Sequence, residues 1–387
     1  MDFTKLKNFM DHLTSWRIPG NDIRVFVAGN EVFRYQSGYA DLATKEKMTD
    51  SKHYFIYSCS KPATMTAVLQ LLEQGVILLS DPVSAYIPAF KDVKVRQADG
   101  SLAPAKTPIT IRHLLSMTAG LNYNTDVPFM EKARALTGGS MDTFKVISCL
   151  AEEPLDFEPG DNFQYSLCHD AAAAVVEAAS GMKFRDYMKK NIFDPLEMGN
   201  TAYHPTDAML QNMASQYRFV PDTEDMQQTD GFRVEGGVVQ EIPKTNCFHF
   251  GPEYDSGGAG IVTTVDDYAK FVCALANMGT GRNGARILSP AAVDLMRTNQ
   301  LNEKQLNTFR HEQYLCYGYG LGVRTMMDRT QNGALSSAGE FGWGGAAGAT
   351  VLADPEKQLA VFYTHHMMNP LEEYYQPRLR NVVCACL

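Results

Sequence analysis

Apolar and polar positions change period along the chain in a way that sets its two ends apart from its middle. The N-terminal part reads as a helix followed by strands. Ile23-Arg24-Val25-Phe26-Val27-Ala28 and Glu31-Val32-Phe33-Arg34-Tyr35 are rich in β-branched and aromatic residues, and they flank Gly29-Asn30, a two-residue hairpin signal. A third short run, Tyr54-Phe55-Ile56-Tyr57, leads straight into Ser58. From there to Gln74 the apolar positions take helical spacing, with Met65, Val68, Leu69, Leu71 and Leu72 on one face and Gly75 as the stop. Asp81-Pro82 predicts a further short element, with Asp as its cap and Pro at its first position.

Helices and loops dominate from about 105 to 300. Thr110 to Ser116 and the Ala/Val-rich Ala171 to Ala179, closed by Gly181, read as helices, and Thr264-Val265-Asp266-Asp267 resembles a capping box before a helix from Tyr268 to Asn277. Between about 205 and 258 the chain is polar and Gly-rich, and is expected to be irregular; loops that long are usually functional. Strand patterns return at Tyr319 to Met326, Ala347 to Ala353 and Leu359 to Thr364, the last two joined by a turn at Asp354-Pro355-Glu356-Lys357. A final helix is expected from about Pro370 to Cys384. Terminal strand sets that are each too small for a sheet should pair with one another and leave the helices as an inserted lobe. The expectation is an α+β fold in one domain spanning 1–387, with an α/β lobe from about 1–80 and 256–387 and a helical lobe from about 81–255. A cleft between the lobes is the natural place for a site.

Composition narrows the class. The chain has 387 residues, 45% hydrophobic and 20% charged, which excludes disordered and collagen-like proteins. Acidic residues outnumber basic ones, 44 to 35, and a net charge of −9 with no basic run argues against a nucleic-acid partner. The start, Met1-Asp2-Phe3-Thr4-Lys5-Leu6-Lys7, lacks a signal-like apolar stretch, and no later segment has about 18 consecutive apolar residues. A cytoplasmic protein without a membrane span is expected. The eight cysteines are scattered without metal or redox spacing, and buried free thiols are the plain reading.

Chemistry is concentrated at Ser58-Cys59-Ser60-Lys61. A serine opening a helix and a lysine one turn later share a face, and the helix N-terminus offers unpaired N–H groups and a positive dipole end. Ser-x-x-Lys arises by chance about once or twice in a chain this long. It recurs at Ser180-Gly181-Met182-Lys183, but there the serine ends a helix, where carbonyls and the negative dipole point, and its role is structural.

The wider pattern separates the two. Phe55-Ile56-Tyr57-Ser58-Cys59-Ser60-Lys61-Pro62 with Leu71-Leu72-Glu73-Gln74-Gly75 and Asp81-Pro82-Val83 is followed by Ile111-Arg112-His113-Leu114-Leu115 and Thr118-Ala119-Gly120-Leu121. Then come Glu158-Pro159-Gly160 with Phe163-Gln164-Tyr165-Ser166, Ser256-Gly257-Gly258-Ala259-Gly260 through Asp267-Tyr268, and Phe341-Gly342-Trp343-Gly344-Gly345. In this order the five blocks resemble the serine β-lactamase and penicillin-binding-protein superfamily, most closely its class C-like esterases, D-aminopeptidases and acyltransferases. The resemblance implies a β-lactamase-like fold with Ser58 as nucleophile, Lys61 as the group that helps deprotonate it, and Tyr165 as a proton carrier to the leaving group. A phenolate at Tyr165 would be a competent base if an adjacent cationic lysine held its pKa down. The resemblance also places Trp343, Gly344 and Gly345 on an edge strand beside the substrate, with the N–H groups of Ser58 and Ala346 as an oxyanion hole.

Two positions depart from the family pattern. Leu167 stands where an asparagine commonly grips a substrate amide, and Trp343 where a cation often binds a substrate carboxylate. Lys244-Thr245 is followed by Asn246 and is not that third motif. These departures argue against penicillin-like or cell-wall peptide substrates. Gly342-Trp343-Gly344-Gly345-Ala346-Ala347 loosely fits a dinucleotide fingerprint, but a strand and not a helix follows. His365-His366 lacks ligand partners at usable spacing, so neither a metal nor a cofactor is expected. The expected activity is a cofactor-independent carboxylesterase on a small or apolar acyl ester. Acyl transfer from the same acyl-enzyme is the first alternative, then β-lactamase or D-amino-acid peptidase activity, then a non-catalytic binding role. Oligomeric state is not legible.

Overall fold

The first and last strands of the chain lie side by side in one sheet. A computed structural model describes residues 1–222, 236–310 and 314–387. Its main sheet has eight strands in the order Tyr317–Tyr319, Arg324–Met326, Phe341–Gly342, Thr350–Asp354, Leu359–Thr364, Gly20–Val27, Asn30–Asp41, Glu46–Lys47. Every pairing is antiparallel. The strand Gly20–Val27 meets Leu359–Thr364 with Asp22 opposite Thr364 and Val25 opposite Val361, so the joining of the two ends is a long-range register. Alternation sorts its side chains to the two faces. Ile23 and Val25 join Leu352, Val361 and Tyr363 under the terminal helices Thr4–Trp16 and Glu372–Cys384, through Leu6, Met10, Leu13, Tyr375, Leu379 and Val383. Phe26, Ala360 and Phe362 pack on the opposite face with Val265, Tyr268, Ala269 and Val272 of the helix Val265–Ala276.

Several elements differ from the sequence-based expectation. The first hairpin turns at Ala28-Gly29, not Gly29-Asn30: both residues have positive φ, and Asn30 already pairs with Val27. Left-handed φ at two consecutive positions suits the twist of a tight hairpin, and here Ala28 adopts it without being a glycine. The stretch expected as one strand from Tyr319 to Met326 is two strands bent back at residues 320–323, where Gly320 N–H donates to Val323 O. Phe341–Gly342 is an interior strand between Arg324–Met326 and Thr350–Asp354, not an edge. The region 205–258 contains a helix, Asp207–Gln211, and the paired strands Gln216–Val220 and Val238–Ile242; residues 223–235 of that call lie outside the described residues. Asp81 does not cap: its carboxylate accepts from Leu78 N–H and the Tyr86 hydroxyl, and Pro82 is extended. Thr264 caps its helix through Asp267 N–H, but the Asp267 carboxylate turns to Asn200 N–H and Lys270 and leaves no reciprocal box. The reciprocal box forms instead at Thr110 and His113. All eight cysteines are free, and six are buried; Cys247 is exposed and Cys384 half-buried. No described helix is long and apolar enough to cross a membrane.

The central helix Ser60–Glu73 is buried from Ser60 through Leu71, on every side and not on one face. A helix with apolar surroundings all round belongs in a core, and this one packs against the alanine-rich helix Cys168–Ser180. Small side chains at Ala171, Ala172, Ala173 and Ala174 suit a close approach between the two.

A buried charge cluster braces the far side of the sheet. Arg324 is 1% exposed, and its Nη2 lies 2.9 Å from Glu340 Oε1; the Tyr317 hydroxyl donates to Glu340 Oε2 at 3.2 Å, and Arg380 Nε stands 3.5 Å from the same oxygen. This cluster fixes the segment that runs directly into Trp343. Removing the shared anion leaves two guanidinium groups in an apolar surround. Glu340→Ala is therefore expected to lower stability by about 3–5 kcal/mol, read as a reduced midpoint in urea denaturation; a loss below about 1 kcal/mol would contradict the bracing role.

Candidate active site

Ser58 is delivered by a strand and a strained turn. Tyr54–Phe55 pairs with Val262–Thr263, and Ile56 N–H donates to Ile261 O, which pins the chain as it approaches the core. Tyr57 then takes φ +44°, a left-handed conformation costly for a large side chain, and opens a 3₁₀ turn over Tyr57–Cys59. Its hydroxyl donates to Gln216 Oε1 at 3.2 Å and Thr245 O at 3.3 Å, so the ring is held from the far end. Ser58 thus sits half-buried in the turn just ahead of the α-helix, not in its first α-turn. Phe55 N–H donates to His366 Nε2, and His366 Nδ1 pairs with Ala214 O. The His365-His366 pair is buried, and His366 is a structural clamp on this strand. Among the described residues no cluster of His, Cys, Asp and Glu could hold a metal ion.

Lys61 lies one turn on and is fully buried. Its Nζ is 3.0 Å from Ser58 Oγ, 3.0 Å from the Tyr123 hydroxyl and 2.9 Å from Gly258 O. A neutral amine has two N–H donors and one lone pair. Gly258 O and the Tyr123 oxygen can take the two donors, which leaves the lone pair for the Ser58 hydroxyl. Burial lowers the Lys61 pKa to about 7, against the opposing charge of Asp170. Asp170 is itself fully buried, which raises its pKa; it accepts the Tyr254 hydroxyl at 3.0 Å, with the Ser256 hydroxyl and Gly258 N–H beside it. Asp170 therefore ties down the same loop whose carbonyl receives Lys61.

Tyr165 comes from the segment before the alanine-rich helix. Lys61 Nζ stands 4.5 Å from its ring centre, Ser58 lies beside its hydroxyl, and Trp343 Nε1–H donates to that hydroxyl at 2.9 Å. Burial raises the Tyr165 pKa well above its ordinary value, although the Ser58 and Trp343 hydrogen bonds work the other way. Desolvation therefore outweighs these bonds at Tyr165 and favours its protonated phenol, beside an amine whose pKa burial has brought down to about 7.

These groups open onto a cavity of about 280 Å³ lined by Ser58, Phe163, Tyr165, Phe309, Tyr314 and Trp343, with Gly344, Gly345, Ala346 and Glu372. The backbone of Ser58 and of Ala346 lies at this cavity. Gly345 is required by a close approach: a Cβ there would lie 2.2 Å from Ile56 O. Leu167 does not line the cavity. Its side chain is buried in the core and its N–H donates to Asn122 O, so the position expected to contact substrate faces the protein. Ser180 is structural as expected, its hydroxyl donating to Val176 O, while Lys183 pairs with Asp142.

The motifs pointed past Tyr123, Asp170 and Gly258, although all three lie in or near them. Tyr123 follows Leu121 by two residues, Asp170 lies five residues beyond Tyr165 in the first turn of the alanine-rich helix, and Gly258 is inside the glycine-rich block. Phe309, Tyr314 and Glu372 carry no local signal and reach the cavity only through folding. Because the folded state holds Lys61 near 7 while an unfolded lysine titrates near 10.4, the unfolded chain binds more protons between those values. This group's contribution to stability consequently rises with pH across that window. Lys61→Met should flatten that rise when urea midpoints are compared from pH 7 to 10; an unchanged slope would show that the lysine is not buried as a neutral amine.

The Beta-lactamase family description matches residues 6–383. The chain is 28% identical over 344 residues to the Esterase EstB of Burkholderia gladioli, covering 86% of this chain and 82% of that protein. It is 28% identical over 377 residues to the Acyltransferase calJ of Penicillium decumbens, covering 88% and 82%. Among solved structures, EstCE1, described as a hydrolase with promiscuous acyltransferase activity, superposes with a TM-score of 0.78 at 27% identity, covering 99% of this chain and 98% of that one. With the family's blocks running from one end of the chain to the other, this protein belongs to the Beta-lactamase family and is an enzyme of the serine hydrolase class.

Proposed function

We propose that the protein is a carboxylesterase that works through an acyl-enzyme on Ser58, with small or apolar acyl esters as substrates. The observation that carries this reading is the buried Lys61 amine, 3.0 Å from Ser58 Oγ and lowered to a pKa of about 7. A lysine at its ordinary value would be protonated and useless as a base at neutral pH. In the proposed reaction Ser58 Oγ attacks the ester carbonyl carbon as its proton passes to Lys61 Nζ. The carbonyl oxygen becomes an oxyanion that the Ser58 and Ala346 N–H groups would stabilise. The carbonyl reforms as the bond to the alcohol oxygen breaks. Tyr165 gives that oxygen its proton and is resupplied by the proton that left Ser58. Water then attacks the acyl-enzyme by the reverse sequence, releasing the acid and restoring Ser58.

Aromatic walls at Phe163, Phe309, Tyr314 and Trp343 suit an apolar ester, and among the described residues no Lys, Arg or His lines the cavity to grip a carboxylate. Trp343, standing where a cation often binds a substrate carboxylate, weighs against β-lactams and D-amino-acid peptides, and the combination of Ser58, Lys61 and Tyr165 weighs against a purely binding role. Acyl transfer to an alcohol or amine is the second reading. The similarity to calJ and EstCE1 favours it, as does a cavity whose walls leave few polar groups to order an attacking water.

Intact-mass spectrometry after exposure to an ester panel tests both readings. The wild type should gain one acyl mass, and Ser58→Ala should gain none and lose at least about a hundredfold in kcat/KM. Product analysis with an added alcohol or amine separates hydrolysis from transfer. An acyl adduct that persists in Ser58→Ala would sink the assignment. The same base makes a pH prediction: kcat/KM should fall as pH drops below about 7 and Lys61 becomes protonated. A profile flat from pH 5 to 8 would remove Lys61 from that role.

A further inference from the structure

A buried carboxyl group stands near the Lys61 amine on the far side of Gly258. The groups at hydrogen-bond distance from Nζ are Ser58 Oγ, the Tyr123 hydroxyl and Gly258 O. A Cβ placed on Gly258 would lie 2.6 Å from Asp170 Oδ2 and 3.4 Å from Lys61 Nζ. That oxygen and the amine are therefore within about 6 Å of each other, the range over which an anion favours the charged form of a base. Asp170 is 1% exposed. Its Oδ1 accepts the Tyr254 hydroxyl at 3.0 Å, and the Ser256 hydroxyl and Gly258 N–H lie beside the carboxyl group. Ser256 Oγ accepts from Ala259 N–H at 3.0 Å, which leaves its own proton free to turn to Asp170. Three donors gathered around one carboxyl group stabilise its anion.

A base for Ser58 has two extremes to avoid. An amine buried among apolar groups alone can fall to a pKa of about 5–6, where it takes up a serine proton poorly. An amine in direct contact with a carboxylate keeps its proton as an ion pair and offers no lone pair. An anion that is near but out of contact avoids both. The other titratable groups facing Lys61 are neutral near pH 7. Burial raises Cys59, Tyr123 and Tyr165, brings Cys168 up to about 12, and holds His169 well below its ordinary range. On the Asp170 side burial raises Tyr254 and Tyr203, and Asp255 is bonded to Arg185 and His204.

We propose that Asp170 is a positioning residue that works as an anion, its charge across Gly258 keeping Lys61 basic enough to take the Ser58 proton. The kinetic part of the proposal rests on the acyl-enzyme reading above, whereas the charge on Asp170 does not. Asp170→Asn keeps an oxygen to accept from Tyr254 and removes the charge. With less to stabilise its ammonium form, Lys61 should titrate lower. The acidic limb of kcat/KM should then move from about 7 to lower pH by at least about half a unit. The plateau at pH 8 should fall at least about threefold, because a weaker base takes up the proton less readily. An Asp170 that only ties down the loop would lower kcat/KM at every pH and leave the limb in place. An unmoved limb overturns the proposal.

Carbon NMR of protein labelled at aspartate Cγ reads the charge without turnover and without altering Asp170. An ionised Asp170 should give a resonance that stays in the carboxylate range on both sides of pH 7 and shifts as Lys61 titrates. That shift should vanish in Lys61→Met. Asp22, which burial brings up to about 7, should titrate in both proteins and serves as an internal control. Absence of any carboxylate resonance that depends on Lys61 overturns the proposal, even where Asp170→Asn does not fold. A Lys61-dependent carboxylate in a protein that no ester acylates would uphold the charge on Asp170 and tell against the esterase reading alone.

Discussion

The arrangement around Ser58 depends on holding a lysine amine out of water. An ammonium ion in this position would cost several kcal/mol in lost hydration. The cost is largely avoided because the amine can be neutral with each of its bonding directions used: Gly258 O, the Tyr123 hydroxyl and Ser58 Oγ surround Nζ at 2.9–3.0 Å. That in turn requires the central helix to be enclosed on all sides and the 254–258 loop to be held still. Asp170 does the second through the Tyr254 hydroxyl, and Thr64 adds a 2.6 Å hydrogen bond to Gly257 O. Stability and reactivity are coupled here, since the burial that costs folding energy also lowers the amine's pKa to about 7, where its unprotonated form can accept the Ser58 proton at neutral pH.

The strained entry at Tyr57 belongs to the same constraint. A left-handed tyrosine is tolerated because strand pairing before it and helix packing after it leave no other path, and because its hydroxyl is bonded at the far end. On the opposite wall, Gly345 passes so close to Ile56 O that no side chain fits, which brings the Trp343–Ala346 segment against the serine turn. Trp343 reaches Tyr165 by a single N–H donor, and Cys59 Sγ reaches back to Trp343 O at 3.5 Å. The buried Arg324–Glu340–Arg380 cluster keeps that segment from drifting.

Local physics was legible in the sequence where it acts within a few residues. Gly181 ends its helix with φ +69°, Thr110 and Thr264 cap theirs, and the apolar runs at Leu359 to Thr364 and Ile23 to Val27 become central strands. Readings failed where a distant neighbour outweighed local preference. The hairpin turned one residue early at Ala28 because pairing with Leu359–Thr364 and Asn30–Asp41 sets the register of Gly20–Val27 from both sides. Residues 320–323 broke an apparently continuous strand, since the chain bends there against Met296 O and Leu115 O. Leu167 turned inward because its backbone is bound to Asn122.

By itself the sequence determined the order of elements, the joining of both ends into one sheet, and the resemblance that singled out Ser58, Lys61 and Tyr165. Those follow from periodicity, caps and short motifs, which are properties of neighbouring residues. Only the tertiary structure decided the protonation states, because the desolvation that lowers Lys61 and raises Tyr165 is set by segments far apart in the chain. It also decided the character of the cavity, whose Phe309, Tyr314 and Glu372 belong to no motif and converge only when the C-terminal helix packs beside the sheet.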